Sequence, residues 1–128
     1  MNKLLGGLIL VLMSSTALAD WTNIGETSSF IVYVNYSSIH KFGTNFKMWH
    51  IKDYKDVQKK SYGTFLSAKE LYEYDCEGEQ VRILSSSLFS GNMGNGEVIY
   101  DSGKVETWFP VPPESNFEGL WKVACGKQ

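Results

Sequence analysis

Ser67-Ala68-Lys69-Glu70-Leu71-Tyr72-Glu73-Tyr74-Asp75-Cys76 admits two readings, and the choice between them decides the fold. Serine followed three residues later by glutamate is a helix capping box. Against it, the stretch from Leu71 to Cys76 alternates, with Tyr72, Tyr74 and Cys76 on one side. Tyrosine favours strands, and a period of two marks a half-buried strand. The alternation outweighs the box, so residues 62–76 are predicted as a strand.

The neighbours read the same way. Ser29 to Tyr36 is rich in β-branched and aromatic residues and forms a strand, with Phe30, Val32, Val34 and Tyr36 on one face. Phe46 to Tyr54 gives another, with Met48, His50 and Tyr54 opposite Trp49 and Ile51. Ser37 to Asn45 is a turn region, and the charged Lys55 to Lys60 reads as a solvated turn. Gln80 to Ser90 follows Glu77-Gly78-Glu79 closely enough for an antiparallel hairpin. Gly91 to Gly96 reads as a loop, and Glu97 to Tyr100 and Lys104 to Phe109 as the last strands.

Pro110, Pro112 and Pro113 then stop the sheet, since proline cannot donate to a ladder. Ser115 and Glu118 form a second capping box. Phe117, Leu120, Trp121 and Ala124 fall at helical spacing, and Gly126 suits a C-cap. The predicted fold class is α+β: a single antiparallel β-sheet of about six strands with a short C-terminal helix packed on it.

The N-terminus carries one lysine, an apolar run from Leu4 to Met13 and the small residues Ala17 and Ala19. That is the pattern of a secretory signal peptide cleaved after Ala19. Residues 20–128 would form one domain, exported to the periplasm, the cell surface or the medium. The run is too short for a membrane span, which needs about 20 apolar residues, and no lipidation cysteine is seen near the cut. In an oxidising compartment, Cys76 and Cys125 are most simply one disulfide, tying the helix end to the sheet. A metal pair is the alternative, but neither has a metal-ligating neighbour at short spacing.

Of 128 residues, 43% are hydrophobic and 20% charged, the balance of an ordinary globular chain. A net charge of -2 leaves no footprint for nucleic acid. No phosphate loop or nucleophile elbow occurs. His50 and Asp53 lie three apart, on opposite faces of a strand, so they make no catalytic pair. Both histidines, His40 and His50, therefore read as surface or edge residues. Met48, His50 and Tyr54 are haem-ligand types, and the two histidines with a carboxylate are a weak metal pattern; neither is specific enough to assign a cofactor or a metal. The acidic pairs Glu70/Glu73 and Glu77/Glu79 read as a solvated face and a turn. The chain is not expected to be an enzyme.

Aromatics remain. Eighteen rings (4 Trp, 7 Tyr, 7 Phe) are many for so short a chain. Trp49, Phe65, Trp108, Phe117 and Trp121 are expected in the core. Tyrosine is enriched at protein-binding surfaces, so Tyr33, Tyr36, Tyr54, Tyr72 and Tyr74 are the candidate binding surface.

The chain resembles the bacterial surface-adhesin protein E-like family. The resemblance rests on Tyr33 to Ile39, Gly43, Lys47 to Tyr54, Ser67-Ala68-Lys69, Asp75-Cys76 and Arg82. It continues through the Ser90 to Gly96 loop, Trp108, Pro112, Ser115 and Val123-Ala124-Cys125. It implies an antiparallel sheet with a C-terminal helix clamped by a disulfide. It also implies an exported protein of Gram-negative bacteria that binds host extracellular-matrix or serum proteins such as vitronectin and laminin. A periplasmic envelope or stress protein with no host role is the alternative. An exposed edge strand leaves a dimer open.

Overall fold

The computed structural model describes residues 20–126, so the expected signal peptide, residues 1–19, lies outside the described residues. Eight antiparallel strands form one sheet within them: β1 (Thr22–Glu26), β2 (Phe30–Val34), β3 (His40–Phe42), β4 (Asn45–Lys60), β5 (Gly63–Asp75), β6 (Gln80–Phe89), β7 (Val98–Ser102) and β8 (Phe109–Pro110). Six run in the order β1-β2-β4-β5-β6-β7, while β3 pairs β4 and β8 pairs β6. One helix, α1 (Asn116–Cys125), follows.

The β4–β5 hairpin is the spine. His50 faces Glu70, Met48 faces Tyr72 and Ile51 faces Lys69 across the ladder. β4 does not stop at Tyr54. It passes an irregularity between Asp53 and Gln58, then pairs Gln58 with Phe65 and Lys60 with Gly63. The turn expected at Lys55 to Lys60 is therefore strand, and the actual reversal is the two residues Ser61 and Tyr62. Backbone pairing carries this extension, because Lys55, Asp56, Val57, Lys59 and Lys60 are exposed and give β4 no apolar face here.

The other end of the chain departs as well. Of Lys104 to Phe109, expected as a strand, only Phe109 joins a ladder, opposite Val81. Residues 103–107 are exposed and have no face to bury. β1 and β3 were not foreseen. Only Ile24 of β1 is even half-buried, and β3 is exposed throughout, so neither shows alternation. Gly43, at φ +66°, makes the tight reversal from β3 into β4.

α1 forms as its sequence dictates. Ser115 Oγ accepts from the Glu118 N–H at 3.3 Å, and Gly126 caps the end at φ +71°. The glutamate of the box reaches one residue further back than expected, accepting from the Glu114 N–H at 3.1 Å. Leu120, Trp121 and Ala124 pack on Val32, Val34, Met48, Tyr72, Tyr74 and Val81. Trp121 Nε1–H donates to the Asp75 carbonyl at 3.1 Å. Beside that bond, the Cys76–Cys125 disulfide fastens α1 to the end of β5. Ten residues make a marginal helix alone, so this packing and cross-link hold it.

Candidate functional site

Only one face of the sheet carries α1. Of the five candidate tyrosines, Tyr72 and Tyr74 belong to that covered face. They are 1% and 0% exposed, which removes them from any binding surface. Their alternation with Glu73 reflects the core, where a tyrosine ring fills space under a helix. Tyr54 is half-buried, its ring edge-on to Phe30 and Phe65 at 5.6 Å each. Tyr36 sits in a short 3-10 turn, 48% exposed, beside a groove lined by Ile24, Gly119 and Lys122. Tyr33, half-buried, lies on the helix-free face between Asn23 and Ile51.

The helix-free face is built from the strand positions that alternate with the core. Lys69 lies at its centre, cross-strand from Ile51 and Ser87. Its ammonium stands 5.7 Å from the Trp21 ring centre and 5.5 Å from that of Trp49. Lys47 stands 3.8 Å over Phe42, and the Arg82 guanidinium 4.5 Å over Trp108. A cation above an aromatic face is attracted by the ring quadrupole, and such contacts hold long side chains in place. Trp49 and Trp108, expected in the core, are thus half-buried members of this face.

Its carboxylates are already engaged. Glu73 Oε1 accepts from Arg82 Nε and Nη2 at 3.0 and 2.8 Å, and Oε2 from Asn45 Nδ2 at 2.9 Å. Asp53 accepts from the Met93 N–H at 2.8 Å and from Asn92 Nδ2 at 2.9 Å. Asp101 accepts from Ser87 Oγ at 2.6 Å. The Gly91 to Gly96 loop is pinned onto one end of the face by Ser67, which donates to the Gly91 carbonyl and accepts from the Gly94 N–H. Among the described residues, Lys47 and Lys69 make no ion pair. Glu73 pairs with Arg82, while Asp53 and Asp101 are bonded by neutral donors and keep their charge, so Lys47 and Lys69 are unpaired cations on a face of balanced formal charge.

Under α1 the sheet hides a polar cluster. His50, expected at a surface or edge, is 0% exposed, and its Nε2 lies 2.9 Å from Glu70 Oε1. Glu70 and Glu73, expected on a solvated face, are 8% and 2% exposed. Both survive burial because donors surround them. Glu70 also accepts from Tyr72 Oη at 3.1 Å and Ser86 Oγ at 3.3 Å, with Lys52 Nζ at 3.6 Å. Burial pushes the Glu70 carboxyl up, but the hydrogen bond and charge of His50, with Lys52 and Tyr72, bring it down to about 2. Burial and the Glu70 charge push the Tyr72 hydroxyl far above its ordinary range. His50 Nδ1 has no partner, so Nε2 is the ring nitrogen that donates to Glu70. Asp53 lies on the opposite face and takes no part. The cluster is an interior network, hydrogen-bonded throughout except at His50 Nδ1.

Comparison with known proteins adds context. The family model described as surface-adhesin protein E matches residues 21–126. No curated protein sequence matches the chain. Among solved structures, Haemophilus influenzae protein E superposes with a TM-score of 0.60 at 10% identity, covering 83% of this chain and 93% of that one. A second crystal form of it gives 0.58 at 10% identity, covering 86% and 97%. Protein E from non-typeable Haemophilus influenzae gives 0.54 at 9% identity, covering 85% and 86%. At such identity the superpositions speak for the fold alone.

Proposed function

Since the chain belongs to the surface-adhesin protein E family, we propose that it is an exported, non-enzymatic, adhesin-like binding module whose recognition surface is the helix-free face. The observation that carries this is the aromatic and cationic layer of Trp21, Tyr33, Trp49 and Lys69, where Lys69 is fixed between two indoles without an anion partner. Aromatic rings with a pre-positioned charge supply contact area at little entropic cost, which is what protein recognition needs. The partners of this reading are host extracellular-matrix or serum proteins, with laminin and vitronectin as the first to test. Signal cleavage after Ala19 would deliver the domain beyond the inner membrane. No helix of the described residues is long and apolar enough to cross a membrane.

Two measurements test the reading. Biolayer interferometry of residues 20–128 on immobilised laminin and vitronectin should show saturable binding to at least one, weakened by Lys69→Glu. Protease shaving of intact cells should remove the protein. Absence of binding together with full protection from shaving would favour a periplasmic envelope role instead.

A further inference from the structure

The chemistry of the partner can be read from the spacing of the uncommitted charges on this face, an inference that rests on the reading above. Lys47 and Trp49 follow on β4, and Lys69 lies opposite Ile51 on β5. Lys47 and Ile51 are four residues apart in a strand rising about 3.3 Å per residue, and β5 is displaced sideways by about 4.8 Å. The backbone positions of the two lysines are thus about 14 Å apart, with the Trp49 side chain midway. An extended peptide places residues i, i+2 and i+4 on one side, with the outer two about 13 Å apart.

None of the described carboxylates near these lysines is within ion-pair distance of them. Glu73, directly across from Lys47, has both oxygens engaged by Arg82 and Asn45. Asp53 is held by the loop and Asp101 by Ser87. Among the described residues neither lysine has an ion-pair partner, so a carboxylate from outside can take that place. Two separated ammonium groups are too few to track a polyanionic glycan or to hold a lipid surface, both of which need clustered basic residues. They match two discrete carboxylates.

We propose that the partner presents an extended acidic segment, with carboxylates four residues apart and an apolar side chain midway, laid across Lys47, Trp49 and Lys69. The apolar side chain covers the Trp49 ring, and the two carboxylates meet the lysines.

The test uses ¹⁵N-labelled residues 20–128 and the acetylated, amidated peptide Asp-Thr-Leu-Thr-Asp as probe. Its Asn-Thr-Leu-Thr-Asn analogue, a heparin oligosaccharide and phosphatidylglycerol vesicles serve as comparisons. The acidic peptide should shift the Trp49 and Trp21 indole N–H signals. Lys69→Gln should weaken it about threefold, the scale of one half-exposed ion pair, and Lys69→Arg should restore it. High salt should weaken it too. Equal binding of the neutral analogue, or response to heparin or vesicles alone, would overturn the proposal. So would shifts confined to α1. If laminin or vitronectin binding is sensitive to Lys69→Glu but the acidic peptide leaves the face unmoved, the inference fails while the proposed function stands.

Discussion

Replacing Glu70 by glutamine should change how the stability of the domain depends on pH. The carboxyl lies at about 2 in the folded chain against an ordinary value of 4.5. A depression of about 2.5 units is worth about 3 kcal/mol, at about 1.4 kcal/mol per unit. Because the folded value is lowered, the stabilisation is fully present above the unfolded value. It is lost as pH falls through 4.5 toward 2. Linkage places about 2 kcal/mol of that loss between pH 7 and pH 3. Glutamine keeps the shape and can still accept from Tyr72 and His50, but it does not titrate. Urea unfolding followed by tryptophan fluorescence at pH 7, 5, 4 and 3 would report the difference. Wild type should exceed Glu70→Gln at pH 7, and the gap should shrink by about 2 kcal/mol at pH 3. A gap that stays constant across that range would refute the reasoning, because the carboxylate would then not be held by its buried donors.

Three further outcomes follow from the fold. The Cys76→Ser/Cys125→Ser variant should lose about 4 kcal/mol, the chain-entropy value for a loop closed over 49 residues; unchanged unfolding midpoints would contradict this. Leu120→Ala, at a 0% exposed site under α1, should cost about 3 kcal/mol in urea unfolding, whereas Tyr36→Ala should stay within about 0.5 kcal/mol. In ¹⁵N spectra, His50 Nε2 should carry a proton; a bare Nε2 would mean that Glu70 is not its acceptor.

Much of this architecture is legible in the sequence because alternation and helical spacing are direct images of burial. The period of two through Tyr72 and Tyr74 named the central strand, and the stripe through Leu120, Trp121 and Ala124 named the helix face. The same alternation also held the answer that the tyrosines obscured. If Cys76 points to the helix that carries Cys125, then Tyr72 and Tyr74 point there too, and Lys69 and Trp49 face away. Composition, with tyrosine taken as a surface residue, pulled the other way. Glu70 and His50 were hidden for a different reason. Each looks solvent-borne alone, and only the β4–β5 register makes them partners. The charged half of β4 was also hidden, since its strand character comes from pairing with residues 63–65 and not from its own pattern.

The claim that the helix-free face is the recognition surface is tested most directly by two charge-matched variants of the same domain. Lys47→Glu/Lys69→Glu reverses the uncommitted lysines of that face. Lys59→Glu/Lys60→Glu makes an equal change of charge at the exposed β4–β5 tip. Measured against an immobilised host protein that wild type binds, the first should weaken capture by about tenfold or more, and the second by about twofold or less. Equal loss in both, or loss in the hairpin-tip variant alone, would contradict the account.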